Sequence, residues 1–278
     1  MIRLCSTLGI SVAFYLHMLF AGMSHFMQIT YAAVTDLGLK RKRNKDAYLI
    51  EKRKLRGLSG VQQDILLLGV ADGMGGHACG DVASTMACDS LTGLADEGTG
   101  EPVDIEQRME ERFFQIYTVL RNYGAAEKNC ADMGTTLSVL FLLSEKGLIA
   151  HVGDSRIYRL RNTTLQRLTT DHSFIQELID KGLLSEEAAA GHPYRNKLTN
   201  VIGSGEPLED VQTDRIDIAP GDRFLLSTDG LYGDISSEEI KTVLQASPTP
   251  QKAAEHLLHL ALERGGRDNA TAIVAFLE

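Results

Sequence analysis

From Ile29 onward, the chain alternates short apolar runs with turn-forming residues, and neither a repeat nor a Pro/Gly/Ser-rich linker interrupts this pattern. Runs rich in β-branched and aliphatic residues predict β-strands. They lie at Ile29–Thr35, Ala47–Glu51, Ile65–Ala71, Thr136–Leu143, Leu148–Val152, Ile157–Leu160, Ile216–Ile218, Arg223–Ser227 and Thr271–Leu277. We therefore expect a single compact domain that spans residues 28–278.

Two connections between apolar runs are short and rich in turn-forming residues. Ser144–Gly147 joins one pair of runs, and Arg161–Thr164 follows another run in the same way. Connections of this length favour antiparallel hairpins, because parallel strands need a long crossover.

The predicted helices are grouped rather than placed between successive strands. The stripe of an amphipathic helix that covers a sheet is formed by Ile105, Met109, Phe113, Ile116 and Leu120. Two further helices, Ser236–Ala246 and Pro250–Arg264, precede the last strand, and a proline suits the first helical turn. Hairpins combined with grouped helices indicate the α+β class.

The N-terminal residues 1–27 form a separate region of the pattern. Leu8–Met23 is mostly apolar and follows Arg3, as in a signal peptide. The run contains His17 and is shorter than the roughly 20 residues that cross a bilayer. We expect residues 1–27 to form an extension outside the fold, and therefore expect no membrane partner. A membrane anchor is the alternative interpretation of this run.

Charge and cysteine content narrow the class of protein. The chain carries 28 basic and 37 acidic residues, a net charge of −9, which argues against a general nucleic-acid binder. The four cysteines, Cys5, Cys79, Cys88 and Cys130, include no C-x-x-C pair. We expect a reduced compartment, the cytoplasm, and no structural disulfide.

Carboxylates stand at the ends of several apolar strands. Asp72, Asp154 and Asp229 each end such a run and are followed by a small residue, while Asp268 precedes the last strand. Burying a carboxylate is costly unless it is paired or binds a cation. Arginine pairing and isolated turn aspartates are the structural alternatives. Donors that are all oxygens, without a Cys/His cluster, favour Mg²⁺ or Mn²⁺.

Other hydrolase and nucleotide-binding patterns are missing from the sequence. Gly73–Gly76 lacks the Lys of a phosphate-binding P-loop, and no G-x-S-x-G nucleophile elbow occurs. Neither Asp72 nor Asp229 belongs to the D-x-D pair of a haloacid-dehalogenase-type phosphatase.

Seven motif regions follow one another after residue 28. They are Gly38–Arg41 with Asn44–Ala47, Val70–His77, Asp132–Leu137, His151–Arg156, Leu168–Ser173, Leu226–Leu231 and Gly265–Thr271. Together and in this order they resemble the metal-dependent serine/threonine protein phosphatases of type 2C, the PPM family, in their bacterial form. The resemblance implies two packed antiparallel β-sheets flanked by helices on both outer faces.

The same resemblance implies a reaction and a set of metal ligands. Phosphoserine and phosphothreonine on proteins would be hydrolysed by a water that bridges two Mn²⁺ or Mg²⁺ ions. Asp72 would bridge the ions, the carbonyl of Gly73 would bind one of them, and Asp229 and Asp268 would bind the other. Asp46 would hold metal-bound waters rather than coordinate directly. Asp46, Asp72, Asp229 and Asp268 are therefore the expected catalytic residues.

Arg41 is the expected substrate-binding residue. It precedes Asp46 by five positions, as does the arginine that grips the substrate phosphate in the family. A guanidinium fork matches two phosphate oxygens. Arg43 is the rival, and the alternative for both is a solvated basic run, since residues 40–56 hold nine of the 28 basic residues.

The chain also departs from the family pattern. Met74 stands where animal members carry a histidine that protonates the leaving group, so that role is unassigned; a metal-bound water or His77 could fill it. Asp132 lies near the place of a third-metal carboxylate and is the candidate for that site. Gly233 replaces another common carboxylate, with Asp234 one step later.

Residues 169–203 correspond to the variable flap beside the active site in the family. Helical runs at Ser173–Lys181 and Ser185–Ala190 predict a mobile, substrate-selecting lid, with ordinary surface packing as the alternative. The expected partners are phosphoproteins and an opposing Ser/Thr kinase, and we expect a monomer. The competing functions are a sigma-regulator-type phosphatase acting on an anti-sigma antagonist, and an inactive pseudophosphatase that serves as a binding module.

Overall fold

The computed structural model describes residues 27–278 except 57–61, 76–78, 95–101, 144, 190, 204 and 206. The strands are β1 (Ile29–Asp36), β2 (Asp46–Arg56), β3 (Gln62–Met74), β4 (Gly134–Thr135), β5 (Leu137–Leu143), β6 (Lys146–Val152), β7 (Arg156–Arg161), β8 (Thr164–Arg167), β9 (Gln212–Asp217), β10 (Arg223–Ser227) and β11 (Ala270–Leu277). The helices are α1 (Gly80–Leu91), α2 (Pro102–Ala126), α3 (Phe174–Asp180), α4 (Glu186–Ala189), α5 (Asp229–Tyr232), α6 (Ser237–Ala246) and α7 (Pro250–Glu263).

The strands form two antiparallel sheets that pack face to face. One sheet has the order β1-β11-β10-β7-β8, and the other has the order β2-β3-β5-β6-β9, with β4 added to β3. Leu66, Leu68 and Leu140 of one sheet share a buried core with Phe224 and Ile273 of the other. Because side chains alternate across a strand, the opposite faces are left for helices to cover.

Helices cover both outer faces. On the sheet that contains β3, α1 and α2 bury Ala83, Ala87 and Phe113 against Leu67 and Val139. On the other sheet, α6 and α7 pack in the same way. The buried apolar cluster there includes Ile240 of α6, Leu257 of α7 and Val274 of β11. The expected α+β fold, two packed antiparallel sheets with helices on both outer faces, is confirmed.

Several strands that the sequence prediction missed or shortened lie at sheet edges, although the inner strand β3 is also longer than predicted, from Gln62 to Met74 rather than Ile65 to Ala71. Strands β2, β8 and β9 are edge strands, and β2 continues to Arg56, five residues past its predicted end at Glu51. The sequences of β8 (TLQR) and β9 (QTDRID) are largely polar. Edge strands carry charged and polar residues that an apolar pattern does not detect.

Most predicted helices agree with the structure. All five residues of the predicted stripe are buried within α2. Ser236 caps α6 in a capping box with Glu239, and Pro250 begins α7. Helix α1 was not predicted, since much of its buried face consists of small residues that form no strong apolar stripe.

Two cysteines contradict the expectation of a chain without disulfides. Cys79 and Cys130 form a disulfide with Cα atoms 5.4 Å apart, and the two cysteines are 51 positions apart in sequence. The prediction was wrong because spacing along the chain does not reveal which cysteines the fold brings together. The bond ties the start of α1 to the segment that leads into β4.

The predicted N-terminal extension falls almost entirely on residues 1–26, which lie outside the described part of the chain. Within the described residues, no helix has both the length and the apolar character needed to cross a bilayer.

Candidate active site

Five aspartates meet where strands of both sheets end. Asp46 begins β2, Asp72 lies near the end of β3, Asp154 follows β6, Asp229 follows β10 and Asp268 precedes β11. Asp46 and Asp72 are opposite each other in the β2–β3 register. Burial raises the pKa of Asp72 well above its usual value, and repulsion from each of the other four carboxylates adds to this rise. The sandwich thus gathers acids that are far apart in sequence.

Asp46 is held between the sheets by two hydroxyl groups. Thr228 and Thr271 each donate a hydrogen bond of 2.7 Å to its Oδ2 atom. Its Oδ1 atom is buried without a hydrogen-bond partner among the described residues. Burial, assisted by repulsion from nearby carboxylates, raises the pKa of Asp46 to about 7 despite the two hydroxyl contacts.

Asp72 and Asp229 form the centre of the cluster. The main chain of Asp72 is fixed by Thr136, whose hydroxyl accepts from the Asp72 N–H at 2.9 Å. Burial and repulsion from Asp268 raise the pKa of Asp229, while a hydrogen bond from Asp72 lowers it. The Oδ1 atom of Asp229 is also buried and lacks a partner within the described chain.

Arg41 reaches this cluster and contacts Asp268. Its Nε donates to Asp268 Oδ1 at 2.7 Å, and its Nη2 donates to Oδ2, which makes the pair bidentate. The hydrogen bond with Asp268 raises the pKa of Arg41, and the charges of Asp72 and Asp229 contribute. The structure therefore brings the predicted phosphate-binding arginine and a predicted metal ligand into direct contact.

A buried asparagine holds the loop that carries Arg41. The Asn269 side chain donates to the carbonyls of Leu37 at 2.8 Å and Arg43 at 3.1 Å. It accepts from the Lys45 N–H at 2.9 Å. Sequence analysis assigned no role to Asn269, although it lies in the Gly265–Thr271 motif.

The other basic residues of this loop point elsewhere. Arg43 is largely exposed and its Nη1 lies 3.3 Å from Asp81. Lys45 donates from Nζ to the carbonyl of Gly75 at 2.9 Å. These contacts distinguish both residues from Arg41, which alone of the three donates to a member of the aspartate cluster in the described contacts.

Gly73 lies where only glycine fits. A Cβ atom there would be 1.9 Å from the carbonyl oxygen of Gly80 and 2.7 Å from that of Lys45. The Gly73 N–H also donates to the Lys45 carbonyl at 3.0 Å. The segment after Asp72 is thus wedged between β2 and the start of α1.

The predicted third-site carboxylate, Asp132, and the strand-end aspartate Asp154 differ in position. Asp132 is exposed and precedes β4. Its main chain packs against Gly75, where an added Cβ atom would lie 3.3 Å from the Asp132 carbonyl oxygen. Asp154 belongs to the cluster, since burial and repulsion from Asp229 raise its pKa to about 8. The position of Asp154 at the end of an apolar strand had marked it in the sequence. The third site was nevertheless assigned to Asp132, because of its place in the family motif. Asp234 lies 3.6 Å from Arg267.

The missing histidine leaves an apolar side chain at the site. Met74 ends β3 and pairs with Gly134 of β4. A thioether is a weak acceptor and cannot donate a proton. His77, the other candidate, lies outside the described residues.

A cleft of about 570 Å³ opens beside the aspartates. Asp154, Asp229 and Asp268 line it together with residues of α3 and α4. Those two helices occupy the predicted flap, residues 169–203, so this part of the chain borders the site.

The packed sheets and the aspartates at their shared end define a class of protein. Residues 44–277 match the family described as protein phosphatase 2C, and the chain belongs to that family. The resemblance inferred from the seven motif regions is confirmed.

Individual relatives are bacterial serine/threonine phosphatases. Over 247 residues the chain is 35% identical to PstP of Mycobacterium tuberculosis, covering 89% of this chain but only 45% of that protein. It is 34% identical to Stp of Listeria monocytogenes, covering 86% of this chain and 92% of that one. A structure of the PstP catalytic domain in complex with two manganese ions has a TM-score of 0.76 and 31% identity, with coverage of 90% and 99%.

Proposed function

We propose that this chain is a metal-dependent phosphoprotein phosphatase that hydrolyses phosphoserine and phosphothreonine. In this reaction water adds to phosphorus, the bond to the serine or threonine oxygen breaks, and that oxygen takes up a proton. The observation that carries the proposal is the cluster of crowded carboxylates at the common end of the two sheets, in a member of the protein phosphatase 2C family.

The residues of the cluster fit divalent cations. Every polar side chain in it offers oxygen, and Asp46 and Asp229 each have a buried oxygen without a partner among the described residues. Within the same part of the chain, no three acidic, His or Cys side chains already form a closed cage around one point. Asp268 instead has both oxygens on Arg41. Cations would relieve the repulsion that raises the carboxyl pKa values.

The proposed ligands are those that the family resemblance implies, and the crowding of the aspartates supports them. Asp72 and the Gly73 carbonyl would hold one Mn²⁺ or Mg²⁺ ion, and Asp72, Asp229 and Asp268 a second, with Asp46 orienting bound water. Two such ions lower the pKa of a water molecule and hold it in line with phosphorus. For a third ion, Asp154 is a better candidate than Asp132, because repulsion from Asp229 already acts on it.

Arg41 is proposed to bind the substrate phosphate. Its guanidinium is partly exposed and adjacent to the cluster, so a phosphate there could accept two parallel hydrogen bonds. Asp268 would exchange its contact with Arg41 for a metal ion. The proton donor for the leaving oxygen is not Met74, and bound water remains a candidate.

The remaining proposals concern partners and organisation. Residues 169–203 would act as a lid, because α3 and α4 line the same cleft as the aspartates. Residues 1–27 would lie outside the catalytic domain, 28–278. The substrates would be phosphoproteins of the bacterial cytoplasm, opposed by a Ser/Thr kinase, and the enzyme would act as a monomer.

Phosphate release from a phosphothreonine peptide tests the proposed function. The purified chain should release phosphate with Mn²⁺ or Mg²⁺, lose activity in EDTA and resist okadaic acid. Full turnover in excess chelator would overturn the metal assignment.

Manganese binding gives a readout that does not depend on activity. Electron paramagnetic resonance should detect Mn²⁺ bound by the wild type and weaker binding by Asp229→Asn. Asp217→Asn is the matched control, since Asp217 is exposed on β9 and pairs with Lys146. Equal binding by all three proteins would remove Asp229 from the proposed ligands.

A further inference from the structure

The cleft beside the aspartates contains an arginine pair that the hydrolytic reaction does not use. Arg156 and Arg167 line the cleft, and both contact the same buried carboxylate, Asp171. Asp171 is only 9% exposed, so its charge is shielded from water. Arg156 also lies near Asp154, whose pKa burial raises and the charge of Arg156 lowers, so the two arginines do not depend equally on Asp171.

The two arginines contact Asp171 unequally. Arg156 donates from Nε and Nη2 at 2.6–3.2 Å, and its guanidinium also lies 3.9 Å above the ring of Tyr232. Arg167 approaches Asp171 only to 3.4 Å and gives Nη2 to Gln176 at 3.0 Å. Arg156 is thus the main partner of Asp171, and Arg167 makes only one longer ion pair with it.

The surroundings of Arg167 suit an anionic group. A guanidinium has five N–H donors, and the two contacts with Asp171 and Gln176 engage a minority of them. Leu165, Ile175 and Ile179 line the same cleft. The lining also contains polar and charged side chains, so an anion at Arg167 would lie in a cleft of mixed character.

We propose that Arg167 forms a subsite for a second anionic group on the substrate, near the phosphorylated residue. The planar fork recognises carboxylate and phosphate alike, so the group is either an acidic side chain or a second phosphate. The inference rests on the proposed function, because divalent ions must neutralise the negative charge of Asp229 and Asp268, which line the same cleft and would otherwise repel an anionic substrate.

The test compares peptides that share one phosphothreonine. A second phosphothreonine, a glutamate or a glutamine is placed at each position within about four residues of it, roughly 14 Å of extended chain. The wild type should show about tenfold higher kcat/KM for an anionic neighbour than for glutamine at one or more positions, about 1.4 kcal/mol. The glutamate and second-phosphate peptides distinguish the two sources of charge.

Substitution of Arg167 tests the residue itself. In Arg167→Gln the ratio between anionic and neutral peptides should fall to about one, and in Arg167→Lys it should be intermediate because charge remains without the fork. Arg121→Gln is the matched control, since Arg121 is exposed on α2 and contacts Tyr117. Melting curves identify a variant that does not fold.

The outcomes separate the two proposals. No manganese-dependent hydrolysis of any peptide, or of p-nitrophenyl phosphate, would overturn the proposed function. Hydrolysis of all peptides with equal kcat/KM by the wild type would overturn the subsite alone. A preference that persists in folded Arg167→Gln would assign the subsite to another residue.

Discussion

Two buried carboxylates, Asp222 and Asp46, solve the problem of burial in opposite ways. Asp222 has a fully buried side chain, accepts from Arg161 Nε and Nη2 at 2.7 Å each, and accepts from the Ala219 N–H at 3.0 Å. Asp46 receives two neutral hydroxyls, and its second oxygen has no partner within the described residues.

We interpret the difference as one between structural carboxylates and those proposed to bind metal ions. Arginine pairing, the structural alternative for strand-end aspartates, applies to Asp222 and to Asp171. It does not account for Asp46, Asp72 or Asp229, whose pKa values are raised by burial and mutual repulsion. A protein retains such a costly arrangement where a cation is to be bound.

The largest expected effect is a loss of catalysis when one of the carboxylates without an arginine partner is replaced. Asp229→Asn should lower kcat by more than about 100-fold, roughly 2.7 kcal/mol of transition-state stabilisation. Phosphate release from a phosphothreonine peptide in saturating Mn²⁺ measures it. Asp222→Asn, assayed well below its melting temperature, should retain wild-type kcat. A wild-type rate in Asp229→Asn would place this residue outside the catalytic centre.

The reverse pattern is expected for stability. Asp222→Asn should reduce the free energy of unfolding by about 1–3 kcal/mol, because it leaves Arg161 and the Ala219 N–H without their acceptor charge. Asp229→Asn should not destabilise the chelator-treated protein, since it removes repulsion. Urea unfolding in EDTA compares the two variants. If Asp229→Asn were the less stable, its charge would be structural.

A smaller effect is expected for Arg41, which pairs with Asp268 of the aspartate cluster. Arg41→Ala should lower kcat/KM for a phosphothreonine peptide by about tenfold, and Arg41→Lys by less, because the lysine keeps the charge without the fork. Arg43→Ala should change kcat/KM little at moderate salt, since its exposed charge is screened beyond roughly 10 Å. A larger loss in Arg43→Ala would move the phosphate-binding role by two residues.

The last prediction concerns how the stability of the metal-free protein changes with pH. The pKa of Asp46 is about 7 in the folded, metal-free protein and about 3.9 when unfolded, so the folded state holds the extra proton between these values. Folding free energy contributed by protonated Asp46 is therefore lost as pH rises from about 4 to 7, by at most about 1.4 kcal/mol per pH unit.

Asp46→Asn provides the comparison for this slope. The stability of the wild type relative to Asp46→Asn, measured in EDTA, should fall as pH rises through this window, and Mn²⁺ should remove the trend. A difference that is constant with pH would show that Asp46 remains charged in the folded protein.

The sequence by itself determined the fold class and most elements of this protein. Apolar runs predicted the inner strands, because a strand buried on both faces needs apolar residues at nearly every position. Motif order pointed to the family, and strand-end position marked Asp72, Asp154, Asp229 and Asp268. Each of these features depends on residues that are close together in the sequence, so the order of residues along the chain is sufficient to predict it.

Only the tertiary structure decided which distant residues meet. It joined Cys79 to Cys130, paired Arg41 with Asp268 across 227 positions, and put Asp154 rather than Asp132 into the aspartate cluster. It also paired Asp222 with Arg161 and gave Asp46 the hydroxyls of Thr228 and Thr271. Pairing and repulsion act through space over a few ångströms, so their partners emerge only when both sheets have packed.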